Sequence, residues 1–117
     1  MISVLHMPAE LAEHFPFDQD IGKRVAWIKQ HQEEYEMVAN VIVQGGSAHA
    51  LSEVVSLTNS AEQHWSNNVN VMLYPDATSR RDTTIGDVID FHGDTFIVSS
   101  QSFDYVDDCN WRYQEYA

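Results

Sequence analysis

From Tyr35 to Val43 apolar and other residues alternate. Tyr35, Met37, Ala39, Val41 and Val43 fall on one side of the alternation, and Glu36, Val38, Asn40 and Ile42 on the other. A period of two predicts a strand with one apolar and one mixed face. Val25, Trp27 and Ile28 predict a shorter strand ending near Gln30, and His31-Gln32-Glu33-Glu34 a polar turn. After Gly45-Gly46 the period changes. Ala50, Leu51, Val54, Leu57, Thr58 and Ala61 form a helical stripe, with Ser47 placed to cap a helix running to about Asn59. Val69, Val71 and Leu73 alternate again as a strand after Asn67-Asn68, and Pro75 to Asp82 is a loop.

Gly86-Asp87 opens another strand to Phe91, and Gly93-Asp94 suits a two-residue hairpin turn. That register sets Phe91 opposite Phe96 and Ile89 opposite Val98, all on one face. Residues 1–22 read as an N-terminal extension to a core of 23–117 within a single domain. The extension holds a short strand at Ile2-Ser3-Val4-Leu5, a helical turn or two from Pro8 to Phe15, and a stop at Pro16. From Lys23 the order is β-β-α-β-β-β. It predicts an α+β fold, a small antiparallel sheet with one main helix packed on one face. The expected core includes Met37, Val41, Leu51, Val54, Ile89, Phe91, Phe96 and Val98.

Composition narrows the functions available. With 117 residues and 44% hydrophobic content, the chain can build one core. Its 18 Asp+Glu against 6 Lys+Arg leave a formal charge of −12. Such a surface repels nucleic acid and anionic membrane, so neither is expected as a direct partner. No apolar run has the length of a membrane span. The first eight residues lack a basic n-region and a small-residue cleavage site. Cys109 is the single cysteine, so an internal disulfide is ruled out and a reducing, cytoplasmic setting is expected.

Catalytic signatures are thin. His49 and Glu53 share a helical face at i, i+4, and with His64 they are the residues a small metal-dependent hydrolase would use. A solvated polar face explains the same spacing. Cys109 has Asp107 and Asp108 beside it, which disfavours a thiolate. Gln44-Gly45-Gly46-Ser47 lacks the lysine of a phosphate-binding loop, and the Arg80-Arg81 pair is too small for a nucleic-acid footprint. The expectation is therefore no enzyme, no cofactor and no metal.

The acids themselves are the candidate chemistry. Glu33, Glu34 and Glu36 form one run, and Asp104, Asp107 and Asp108 another. Like charges concentrated this way speed encounter with a cationic protein. Trp111 and Tyr113 are candidate interface anchors. The tail's aromatics and the open sheet edges also predict a homodimer. A regulatory or structural protein without a cationic partner is the remaining reading.

One resemblance adds a context. Tyr35-Glu36-Met37-Val38-Ala39-Asn40-Val41, Ser56-Leu57-Thr58-Asn59, Trp65 and Asn67 lead to Arg81-Asp82-Thr83-Thr84-Ile85-Gly86-Asp87-Val88-Ile89, then Gly93 and Phe96-Ile97-Val98. This pattern resembles the YodL-like group, small proteins of phages, plasmids and other mobile elements. The likeness covers about residues 24–106. It departs at Ser102-Phe103, where Gly-Phe is usual, and brings no catalytic residue with it. It implies a mobile-element accessory protein. Joined to the charge, it points to a protein that blocks a host defence or nucleic-acid-handling factor, of the restriction, BREX or CRISPR kind, with DNA mimicry as one means.

Overall fold

The computed structural model describes residues 2–43, 49–59, 64–67, 69–100, 102–107, 109 and 111. It contains a six-stranded antiparallel sheet with helices, a compact α+β arrangement. The strands are β1 (Ile2–His6), β2 (Glu36–Val41), β3 (Val71–Leu73), β4 (Val88–Phe91), β5 (Asp94–Val98) and β6 (Phe103–Val106). Their order across the sheet is β3-β2-β1-β4-β5-β6. The helices are α1 (Ala9–Ala12), α2 (Ile21–Gln30) and α3 (Ala50–Leu57), with 3-10 turns at Gln32–Glu34 and Trp65–Asn67.

Three sequence expectations are corrected. The N-terminal segment is no extension: β1 is central, paired antiparallel with both β2 and β4, and every residue of it is buried. Its continuous run of Ile2 to His6 suits a strand covered on both faces. Second, the predicted strand near Val25 is α2. Asp20 caps it by accepting the Lys23 N–H at 3.0 Å. Ile21, Val25 and Ile28 repeat at i, i+4 and i+7, and Ile28 is fully buried. Third, among the described residues helices pack on both faces of the sheet rather than on one. α3 turns Val54 into a core with Ile2, Val4, Ala39, Val41, Ile89 and Val98. On the opposite face α2 sets Ile28 against Leu5, Val88, Ile97 and Val106. Ser47 lies outside the described residues, and His49 occupies the position before α3.

Two details explain why side chains face as they do. Val4 pairs with Ala39 but Leu5 pairs with Met37, so Val38 is an extra residue on β2. This bulge exchanges the faces of β2. Ala39 and Val41 join the α3 side, whereas Tyr35 and Met37 join the α2 side. The β4–β5 turn is His92-Gly93, not Gly93-Asp94, with φ of 52° and 98° as a type I′ turn requires. Phe91 therefore pairs with Asp94 and Ile89 with Phe96. The shift is even, so the expected face survives. Val41, Val54, Ile89 and Val98 are buried, while Leu51 and Phe91 pack partly buried against the same core. Met37 belongs to the other face, and Phe96 is half-buried.

Gly86 gives a local test. Its φ is +95°, and a Cβ there would lie 2.5 Å from the Met7 methyl, inside packed core. Gly93 has φ +98° with open space around it. Gly86→Ala is expected to cost about 1–3 kcal/mol, more than Gly93→Ala, where only backbone strain of about 1 kcal/mol acts. Urea denaturation of the two variants checks the order.

Candidate functional site

The two acidic runs meet different fates. Asp104 accepts from Arg24 of α2 at 2.9 Å and from the Ser99 hydroxyl at 2.6 Å, with 12% of its side chain exposed. Asp107 accepts from Lys29 of α2 at 3.0 Å, which holds its carboxyl below the usual range. These tail acids thus face cations of their own chain and tie β6 to α2, which leaves Asp104 little to offer a partner. Asp108 and Tyr113 lie outside the described residues. Trp111 is not an exposed anchor. It is 6% exposed, packs 5.8 Å from the Tyr35 ring, and donates its indole N–H to Thr95 Oγ1 at 2.9 Å. Its large apolar area covers the α2 face of its own sheet.

The first run is placed differently. Residues 32–34 tighten into a 3-10 turn after α2, which leaves Glu33 and Glu34 exposed. Glu36 starts β2 beside them. Across from this turn, Asp76 and Ala77 follow β3. Between them lies a groove of about 1180 Å³. Glu33, Glu34, Glu36 and Asp76 bring carboxylates to it, Tyr35, Tyr74 and Trp111 bring rings, and Leu5 and Met37 add apolar surface. Lys29 and His31 also line it, but Lys29 is bound to Asp107 and His31 Nδ1 lies 2.7 Å from Glu34. The structure therefore joins Glu33, Glu34, Glu36 and Trp111 around one groove, and places Asp104 and Asp107 at the β6 edge with α2.

A polar cluster, buried at His6, Thr83 and Asp87, lies behind the groove wall. Glu36 accepts from the Thr78 N–H, the Thr78 hydroxyl and the Ser79 N–H, at 2.8–3.1 Å. Partial burial works against its charge, but these donors outweigh burial and lower its pKa. The same loop meets His6 of β1, whose Nδ1 lies 2.7 Å from Ser79 Oγ and Nε2 2.9 Å from Thr83 Oγ1. Arg81 turns inward and grips Asp87 with both nitrogens, at 2.6 and 2.7 Å, and donates to Met7 O at 2.9 Å. Asp87 also accepts from the Met7 and Thr84 N–H groups. Tyr35 donates to Gly86 O at 2.6 Å, and burial pushes its hydroxyl pKa up. The Trp65 indole caps the Arg81 carbonyl at 3.0 Å.

Sequence reading missed His6, Arg81 and the partners they hold. Asp87 accepts the Thr84 N–H and so closes the turn before β4. The available signal was Arg81 followed six residues later by Asp87 across a Gly, but pairing to Met7 and His6 spans more than seventy residues. Asp76 was likewise invisible, since only the fold brings it opposite Glu33.

The residues considered for metal do not assemble. Among the described residues no group of three or more His, Cys, Asp or Glu is placed to hold an ion. His64 is engaged by the Ser66 hydroxyl and the Arg80 carbonyl. Burial raises the Cys109 thiol pKa. Among the described residues no helix is long and apolar enough to cross a membrane.

Burial pushes the His6 pKa down, from 6.5 to about 4. The unfolded chain therefore binds a proton that the folded chain refuses between these values. The stability held by neutral His6 is complete above pH 6.5 and is lost as the pH falls toward 4. The urea midpoint is expected to fall through that window, and His6→Gln to flatten the fall. Equal slopes in both proteins would contradict the assignment.

Comparison with protein-family models, curated proteins and solved structures gives no match.

Proposed function

We propose that this chain is a non-enzymatic acidic binding protein whose groove face docks a positively charged surface of another protein and blocks its use. One observation carries the reading: Glu33 and Glu34, both exposed, and Asp76 converge from separate elements on a groove that also presents Tyr35 and Tyr74. Carboxylates steer a cationic group, and the half-buried Tyr74 ring offers a face for a guanidinium or ammonium once there. The net charge of −12 extends the attraction beyond the groove. The resemblance to mobile-element proteins supplies the biological setting, a cytoplasmic host factor that handles or defends nucleic acid. DNA mimicry is the narrower form of the reading. The homodimer is a separate proposal, and burial of Trp111 in its own chain removes one of its motives.

The test is a nuclear magnetic resonance titration with a Lys/Arg-rich peptide. The proposal expects shifts concentrated at Glu33, Glu34, Asp76, Tyr74 and the Trp111 indole, and their loss in the Glu33→Lys, Glu34→Lys double variant. Shifts spread evenly over all the acidic surface would replace the groove by a merely solvated acidic exterior.

A further inference from the structure

The chain from Asp76 to Asp87 has no helix or strand; Asp76 and Ala77 line the groove, and the stretch that follows is held by Glu36 of β2 and by an ion pair of its own. Glu36 takes the amides of Thr78 and Ser79, and Arg81 locks into Asp87. Between these anchors stands His6, on the central strand and wholly inaccessible. Its two ring nitrogens both bridge to side-chain hydroxyls of this loop, Ser79 and Thr83.

We propose that His6 is an acid-sensitive latch: its neutral ring pins Ser79 and Thr83, and protonation loosens the 79–83 stretch that follows the Asp76–Ala77 wall of the groove. The regulatory role rests on the groove reading, but the loop step itself does not.

The geometry gives the direction. A neutral imidazole accepts from one hydroxyl and donates to the other, so both contacts are satisfied. An imidazolium in the same place would be a second cation beside Arg81, with none of its surface open to solvent. The facing charges are Asp87, Arg81, Glu36 and Asp82, and the Trp65 ring edges the imidazole at 6.2 Å. Asp87, whose Oδ2 lies 3.9 Å from Nε2, is already doubly bound to Arg81. Glu36 is committed to the loop amides. Neither is free to turn fully to His6, so hydration is the cheaper rescue. Ser79 is half-buried and its neighbours Thr78 and Arg80 are exposed, so this loop offers His6 a side toward water. The burial that lowers the affinity of His6 for a proton sets the operating range below that of an exposed histidine.

The experiment follows the labelled full chain by nuclear magnetic resonance from pH 7.5 to 4, without ligand. The His6 ring carbons report its protonation, the amides of Thr78, Ser79 and Thr83 report the loop, and those of Val4 and Ile89 report the sheet. The latch expects the loop amides to move with the His6 midpoint, at least one pH unit below the exposed histidines, while the sheet amides stay dispersed. In His6→Gln that loop step should vanish. If the variant does not fold, the wild-type titration still decides. Loop amides that ignore His6, a sheet that melts in the same step, or an unchanged step in the Gln variant would each overturn the proposal. Peptide binding compared between wild type and His6→Gln at each pH then tests the consequence. A loop step with no peptide binding at any pH would leave the latch standing and defeat the groove reading instead.

Discussion

Arg81→Met should lose about 3–5 kcal/mol of stability, because it strands the Asp87 carboxylate in the core. Asp87 is fully buried and receives both Arg81 nitrogens. Removing the guanidinium leaves only the Met7 and Thr84 N–H groups to hold that charge. It also removes the donor to Met7 O, which joins β1 to the loop. The pair need not be a net source of stability, since desolvating two charges costs much of what they return. Breaking one side is the expensive change. Adding Asp87→Asn to Arg81→Met should therefore recover part of the loss. Urea denaturation of both proteins measures this. A single variant with a wild-type midpoint would show that Asp87 is not charged and paired in the folded chain.

Val54→Asp tests the packing that positions the sheet. Val54 is inaccessible, and α3 presents it to Ile89 and Val98 across the sheet face. A carboxylate there has no polar partner in that cluster, so the loss should be about 3 kcal/mol or more. Ser52→Asp is the control. Ser52 is exposed in the first turn of α3, where an acid is tolerated, so its effect should stay within about 0.5 kcal/mol. Thermal melts that place both variants beside wild type would mean that the α3 face is wrongly assigned.

Much of the sheet was legible because its strands obey local rules. β2, β3, β4 and β5 were each visible in alternation, and the mixed α+β class followed. What failed did so where tertiary structure decides. Val25 and Trp27 alternate over too few residues to distinguish strand from helix, and the Asp20 cap settles the matter. Ile2 to Leu5 is visible as a strand, but its central place depends on pairing with segments some 37 and 86 residues away. The β2 bulge at Val38 leaves no mark on the pattern yet exchanges two faces. At the site, the charge of the first acidic run could be read directly, and Glu33 and Glu34 do stay exposed. The second run could not be read, because Arg24 and Lys29 were assigned to a strand rather than to a helix lying over Asp104 and Asp107. Trp111 reads as an anchor in the sequence because its partner, Thr95, sits on β5, sixteen residues earlier.

The central claim is that the groove acids, rather than charge spread over the whole surface, recognise a cationic protein. Its most direct test is to capture a basic partner from host extract with the wild-type chain, then follow association with that partner across a salt series. Wild type should be compared with the Glu33→Lys, Glu34→Lys variant and with a Glu13→Lys, Asp18→Lys variant of equal net charge, at exposed sites away from the groove. The account predicts slower association and a flatter salt dependence for the groove variant, with the second variant closer to wild type. Equal loss in both variants, or unchanged affinity of the groove variant at low salt, would contradict it.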